Sequence, residues 1–169
     1  MATDAPPSPS PTIRPATRDD LPQIGPLAAL LVQTHHEFDP QRFFPATGST
    51  PHHYAGFLGS QLDEADAVFL VADSGGRIVG YAYAALEGHD YMALRGPAGV
   101  LHDIVVAPAH RGHGVGRLLL NATLDQLTSR GAPRVVLFTA EKNHAAQRLF
   151  AQFGFRPTMI EMTRESDQS

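Results

Sequence analysis

The residues best suited to chemistry in this chain lie together, between Val100 and Leu120. An apolar, β-branched run from Val100 to Val106 reads as a buried strand. A loop opens at Pro108 and carries Arg111, Gly112, His113, Gly114, Val115, Gly116 and Arg117. Apolar residues then recur at helical spacing, at Val115, Leu118, Leu119 and Ala122. The first N–H groups of a helix have no partner within it, and the helix dipole adds partial positive charge there. Glycines remove the Cβ atoms that would hold a phosphate away from those groups. The stretch therefore predicts a phosphate or pyrophosphate at residues 112–117.

Two common phosphate loops do not fit the spacing. A P-loop needs Gly-x-x-x-x-Gly-Lys-Ser/Thr, and the chain has no such run. A dinucleotide loop needs Gly-x-Gly-x-x-Gly. Gly112 and Gly114 supply its first two glycines, but Arg117 stands in the third place. Arg134 and Val135 occupy the place, about 20 residues on, where an acidic residue should bind a ribose.

The pattern Arg111-x-x-Gly114-x-Gly116 resembles the acyl-CoA pyrophosphate loop of the GNAT superfamily of N-acetyltransferases. A second patch, Asn143 to Phe155, resembles that family's later helix, Asn-x-x-Ala-x-x-Phe/Leu-Tyr-x-x-x-Gly-Phe. The resemblance covers about residues 68–155 and is only in outline before that. It implies an α+β fold with a mixed sheet of six to seven strands and about four helices. In such folds the fourth and fifth strands splay apart and the thioester sits in the gap. It also implies direct acetyl transfer from acetyl-CoA to a primary amine of a small molecule or a protein.

That reaction asks little of the protein, because the cofactor carries the activated acyl group. An alkyl amine has a pKa of about 10.4, so near neutral pH it needs a base. A thiol's pKa of about 8.5 makes its thiolate a fair leaving group without an acid. Asp103 matches the place where many members carry a base; its plainer reading is a carboxylate that pairs with an arginine such as Arg111. Side chains alternate along a strand, so His102 and Asp103 are expected to face opposite sides. By the same resemblance, Ile104, Val105 and Val106 pair with pantetheine. Arg111, Gly112, His113, Gly114, Val115, Gly116 and Arg117 cradle the pyrophosphate, with a solvated helix face as the other reading of Arg117. Asn143 contacts the cofactor, caps a helix, or does both.

Phe150 is the main departure, since many members place there a Tyr that protonates the thiolate. Tyr83 and Tyr91 are the candidate substitutes. Phe138 occupies a place where relatives acting on protein N-termini carry a Glu base. Phe150 keeps a second reading open, a non-catalytic acyl-CoA-binding or regulatory module. A nucleotide-binding domain is a third.

The elements that must position these residues follow from the rest of the chain. Its 169 residues suit one domain with a sizeable core. We expect residues 1–11, rich in Pro, Ser and Ala, to form a disordered tail and residues 12–165 to form the acetyltransferase domain. The expected strands are 12–16, 67–72, 77–86, 100–106, 134–139 and 155–163. The expected helices are 19–37, 51–64, one from Val115 and 143–153, with Pro26 kinking or delaying the first. Asp73 to Gly76 reads as a hairpin turn.

A net charge of −4 gives no reason to expect a nucleic-acid partner. The chain has no cysteine, so no thiol nucleophile and no acyl-enzyme are expected. The absence of a leader pattern and of a membrane-length apolar run suggests a cytoplasmic protein with no membrane partner. A homodimer is an expectation by analogy. The pairs His35-His36 and His52-His53 lack the i, i+4 spacing of a helical metal site, so no metal is expected. With Glu37, Asp39, Tyr54, His89 and Asp90, they are instead candidate liners of the acceptor pocket.

Overall fold

The structure, a computed structural model, describes residues 10–166. The chain-order elements are β1 (Thr12–Pro15), α1 (Leu21–Phe38), α2 (Thr50–Gln61), β2 (Ala67–Ser74), β3 (Arg77–Glu87), β4 (Ala98–Val106), α3 (Val115–Ser129), β5 (Val135–Leu137) and α4 (His144–Gln152). The five strands form one sheet in the order β1-β2-β3-β4-β5. All neighbours are antiparallel except β4 and β5. The sheet is therefore mixed, as expected, but has five strands among the described residues rather than six or seven. The expected tail falls largely outside the described residues.

Alternation along the strands builds a core on each face. Val68, Leu70, Ala72, Ala82 and Leu101 pack with Leu119, Leu120 and Leu127 of α3 and with Phe150 of α4. Phe69, Val71, Tyr81, Tyr83 and Val105 face α1 and α2, against Ile24, Leu27, Ala28 and Leu58. Helices on both faces explain why β2 to β4 read as nearly continuous apolar runs.

The first helix begins at Leu21 and runs through Pro26 without delay. Proline costs one backbone hydrogen bond there. Burial of Ile24, Leu27, Ala28 and Val32 on one face offsets that loss. Gly25 lets α2 come close, since a Cβ there would lie 2.6 Å from the Pro51 carbonyl oxygen.

Arg14 and Asp20 anchor the start of α1 to the sheet. The Arg14 guanidinium donates to both Asp20 oxygens at 2.8 Å and, through Nε, to Asp73 Oδ2 at 3.0 Å. Thr17 adds its N–H to Asp20 at 2.8 Å. The Arg14 guanidinium, ahead of the opposing cost of burial, holds the Asp20 carboxyl down at about 2. A lowered carboxyl contributes stability above its unfolded value and loses it as pH falls through its folded value. Asp20→Asn should therefore cost about 1–2 kcal/mol at pH 7, allowing for screening at the one-third-exposed Arg14. Urea unfolding should show that difference fading between pH 3.8 and about 2.

The last expected strand, 155–163, is absent: residues 155–166 are irregular. Its apolar residues suggested a strand, but a strand needs an edge to pair with. No strand of the sheet takes up these residues, and Pro157 lacks an N–H to donate. Glu161 instead pairs with Arg42 in the loop after α1. The strand expected at 134–139 is likewise reduced to Val135–Leu137.

Candidate active site

Strands β4 and β5 pair only at Gly99–Val135, Val100–Val136 and Leu101–Leu137. Beyond Leu101 they part, and β4 continues with β3 alone on one side. Ile104, Val105 and Val106 thus stay paired with β3 and have no strand on the gap side, where alternate backbone groups face the gap and the Val106 carbonyl accepts from Arg111. A cavity of about 300 Å³ opens there, bordered by Ile104, Phe138, Asn143 and Phe150 on one side and by His35, Phe43 and Tyr54 on the other.

The gap starts at a bulge. Tyr83 pairs with Asp103 and Ala84 with Leu101, so His102 is the extra residue of β4. The bulge corrects the expectation that His102 and Asp103 face opposite sides. The His102 ring stacks on Tyr83 at 5.3 Å and 21°, and Tyr83 shares a face with its partner Asp103. Both residues border the cavity. Strict alternation fails because one inserted residue shifts the pleat.

Asp103 is 6% exposed. Tyr54 donates its phenol proton to the carboxylate at 2.9–3.0 Å, and Tyr81 donates to Oδ2 at 2.9 Å. Burial pushes the Asp103 carboxyl above the usual carboxylate range, against the lowering effect of the phenols and of nearby His102 and His35. Burial and then the Asp103 charge push the Tyr54 and Tyr81 phenols up in turn. Arg111 is not the partner of Asp103; it donates Nε–H to the Val106 carbonyl at 3.0 Å and ties the loop to β4. Of the two phenols, Tyr54 was among the expected pocket liners and does border the cavity, whereas Tyr81 escaped the sequence reading. The i, i+2 spacing of Tyr81 and Tyr83 was the one signal for Tyr81.

The glycine loop leads from β4 into α3. Gly112 and Gly114 adopt φ of +76° and +82°, and a Cβ on either would meet nothing within 4 Å. Leu118 N–H is bonded to Gly114 O at 3.0 Å. The N–H groups of Val115, Gly116 and Arg117 therefore have no acceptor inside the helix. Gly116 lies within α3, where a Cβ would make ordinary contact with Leu149 and Val106. His113 is exposed. Arg117 is engaged by α4, where it donates to Gln152 and lies 5.5 Å from the Phe153 ring centroid.

Asn143 caps α4, accepting from Ala146 N–H at 3.2 Å, and also borders the cavity. Phe150 is buried, edge-on to Phe155 at 5.9 Å. Of the two substitute acids, Tyr91 is exposed on the surface and the Tyr83 phenol donates to Gln61 at 2.9 Å. The histidine pairs do not form a cluster. His35 and His36 each place Nδ1 on a main-chain carbonyl, of Leu31 and Phe43 respectively. Among the described residues no three His, Asp or Glu side chains gather as metal ligands. Among them also, no helix is long and apolar enough to cross a membrane.

Comparison with known proteins agrees with this geometry. The chain is 40% identical over 93 residues to mycothiol acetyltransferase of Thermobispora bispora, covering 53% of this chain and 30% of that protein. It spans about three-tenths of the length of the curated relatives it matches first. An uncharacterised N-acetyltransferase of Bacillus subtilis, YhfO, is 28% identical over 145 residues and is covered to 88%. The fold is shared with the BH1408 protein of Bacillus halodurans, with a TM-score of 0.79 over 92% of this chain and 99% of that one at 20% identity. It is shared as well with the aminoglycoside N-acetyltransferase AAC(6')-Iy, solved in complex with CoA, with a TM-score of 0.71 over 97% of this chain and 100% of that one at 21% identity. The model of the acetyltransferase (GNAT) family matches residues 31–155, so the splayed strands and glycine loop belong to a member of that family.

Proposed function

We propose that this chain is an N-acetyltransferase that moves an acetyl group from acetyl-CoA to a primary amine by direct transfer. The observation that carries this reading is the free edge of β4 running directly into the glycine loop at the α3 N-terminus. Open space beside Gly112 and Gly114 and the free N–H groups of Val115 to Arg117 fit a pyrophosphate. The edge at Ile104 to Val106, apart from the Val106 carbonyl held by Arg111, fits the amide groups of pantetheine, which would add to β4 as a strand does. Asn143 and Phe150 border the gap on the far side.

Asp103 supplies the charge. Two phenol donors leave its carboxylate able to accept one more hydrogen bond, from an arriving ammonium. It is the one carboxylate among the described residues that border the cavity, whose other walls include Phe43, Phe44, Tyr54 and Leu31. Such a site fits a single amine on an apolar or aromatic body better than a polycation. With acetyl-CoA, 2-phenylethylamine should therefore be a better acceptor than spermidine or a lysine-containing peptide, by about tenfold or more in kcat/KM, or 1.4 kcal/mol.

Phe150 favours the second reading, an acyl-CoA-binding module without chemistry. Yet a thiolate leaves readily and solvent can protonate it, so losing the phenol slows transfer without preventing it. Calorimetric titration with acetyl-CoA, CoA, ATP and NAD tests the ligand. Binding of the CoA species alone supports the assignment, and no binding of either by folded protein overturns both readings. Binding without turnover of any amine selects the second.

A further inference from the structure

We propose that His102, oriented by Glu87, is the base that takes the proton from the acceptor amine. This rests on the N-acetyltransferase reading above. His102 Nε2 lies 2.8 Å from Glu87 Oε1. An ionised carboxylate only accepts, so Nε2 carries the hydrogen and Nδ1 keeps its lone pair in the neutral ring. No partner meets Nδ1 among the described residues.

Glu87 is itself fixed. Its Oε2 accepts from Arg95 at 2.8 Å, and Arg95 is held by the Asp90–Arg95 bridge in the loop between β3 and β4. Tyr83 stacks beneath the imidazole and sets the ring plane. The result is a carboxylate that fixes a tautomer and stabilises the imidazolium, as in other His–carboxylate pairs.

Position favours His102 over Asp103. It is the first residue past the last β4–β5 pair, where the gap opens. Its side chain is 38% exposed, whereas Asp103 is 6% exposed behind Tyr54 and Tyr81. Asp103 then acts as the anion that holds the ammonium while His102 takes its proton. The charged and titratable groups around the imidazole or bordering the same cavity are Glu87 and Tyr83 on β3, Arg95 in the following loop, Asp103 on β4, His35 on α1, Arg42 in the loop after α1, where Glu161 pairs with it, and Tyr54 on α2.

The step balances. One ammonium proton moves to Nδ1 and from there to solvent. The freed lone pair forms the C–N bond to the thioester carbon. The C–S bond breaks with its electron pair on sulfur, and the second amine proton leaves with the thiolate as the free thiol.

The test is the pH profile of kcat/KM for acetyl-CoA with a panel of 2-phenylethylamine, spermidine and a lysine-containing peptide. For H102Q we expect a loss of about 10²-fold at neutral pH and disappearance of the acid limb of the profile. The gap should narrow as pH approaches about 10, where the amine arrives unprotonated. E87Q should lower kcat about tenfold and leave the KM for acetyl-CoA unchanged, as expected of a positioning residue. Added imidazole should restore part of the activity of H102A and none of that of D103N, which should keep its acid limb. Each variant is first shown to melt near the wild type and to bind acetyl-CoA. H102Q with wild-type turnover and an intact acid limb, or H102A unmoved by imidazole, overturns the dyad alone. A wild type that binds acetyl-CoA and acetylates no amine overturns the dyad together with the function on which it rests.

Discussion

Replacing Gly114 by Val should reduce acetyl-CoA affinity by at least about 10²-fold while leaving the protein folded. Gly114 is the N-cap of α3 at φ +82°. A left-handed residue with a Cβ costs about 1–2 kcal/mol, and a β-branched one sits at the upper end. The protein itself has room, because a Cβ there meets nothing within 4 Å. That room is the space a pyrophosphate needs to reach the N–H groups of Val115, Gly116 and Arg117. Charge-assisted hydrogen bonds are worth about 1.5–3 kcal/mol each, so displacing the phosphate from two of them removes about 3 kcal/mol or more. Gly131→Val separates strain from ligand loss. Gly131 has φ +88° and open space too, but lies past the far end of the 15-residue α3. It should lower the melting point by a similar amount and leave calorimetric binding of acetyl-CoA intact. Equal loss of affinity in both variants would mean that the loop acts through stability and not by contact.

Asp103→Ala should be the most damaging single change in the site, for fold and activity together. It orphans the phenols of Tyr54 and Tyr81 at a buried position. Each unsatisfied group costs about 1–3 kcal/mol, so a total of about 2–6 kcal/mol and a fall in Tm of roughly 5–25 °C are expected. Asp103→Asn keeps the volume and an acceptor oxygen and should cost less than half as much. Amine turnover should fall in both, mainly through the KM of the amine, because the attracting charge is gone. The pH dependence has a definite sign. Burial raises the Asp103 carboxyl in the folded state, so between its ordinary value and that raised value the folded state binds more protons than the unfolded one. Its contribution to stability therefore declines as pH rises through that window, starting near 3.8. The stability of wild type relative to Asp103→Asn should decline with it, measured by urea unfolding from pH 4 upward. A rising difference over that range would show that the phenols, and not burial, dominate.

Much of this site was readable in the residue order because its parts are local. The glycine loop needs only a strand, a turn that tolerates positive φ, and the start of a helix. Val100 to Leu120 contain all three signals in one stretch. Asn143 reads as a cap and Phe150 as an inward aromatic for the same reason: each depends on neighbours within a turn or two. The β2–β3 hairpin at Gly75 and Gly76 is equally local.

Tertiary structure decided what depends on residues far apart. Asp103 meets Tyr54 across 49 positions and Tyr81 across 22, and no spacing rule links them. The bulge at His102 arises from how β3 and β4 register, which reverses the side that alternation assigns to that residue. Glu87 lies 15 positions before His102, just past the strand expected at 77–86. The unpaired 155–163 segment shows the same limit from the other direction. An apolar pattern can propose a strand, but only the sheet can supply an edge for it. The sequence by itself thus determined the family, the glycine loop and the strand that leads into it. Which side chains share a pocket was settled by long-range register, because a hydrogen bond between elements depends on where the sheet places them.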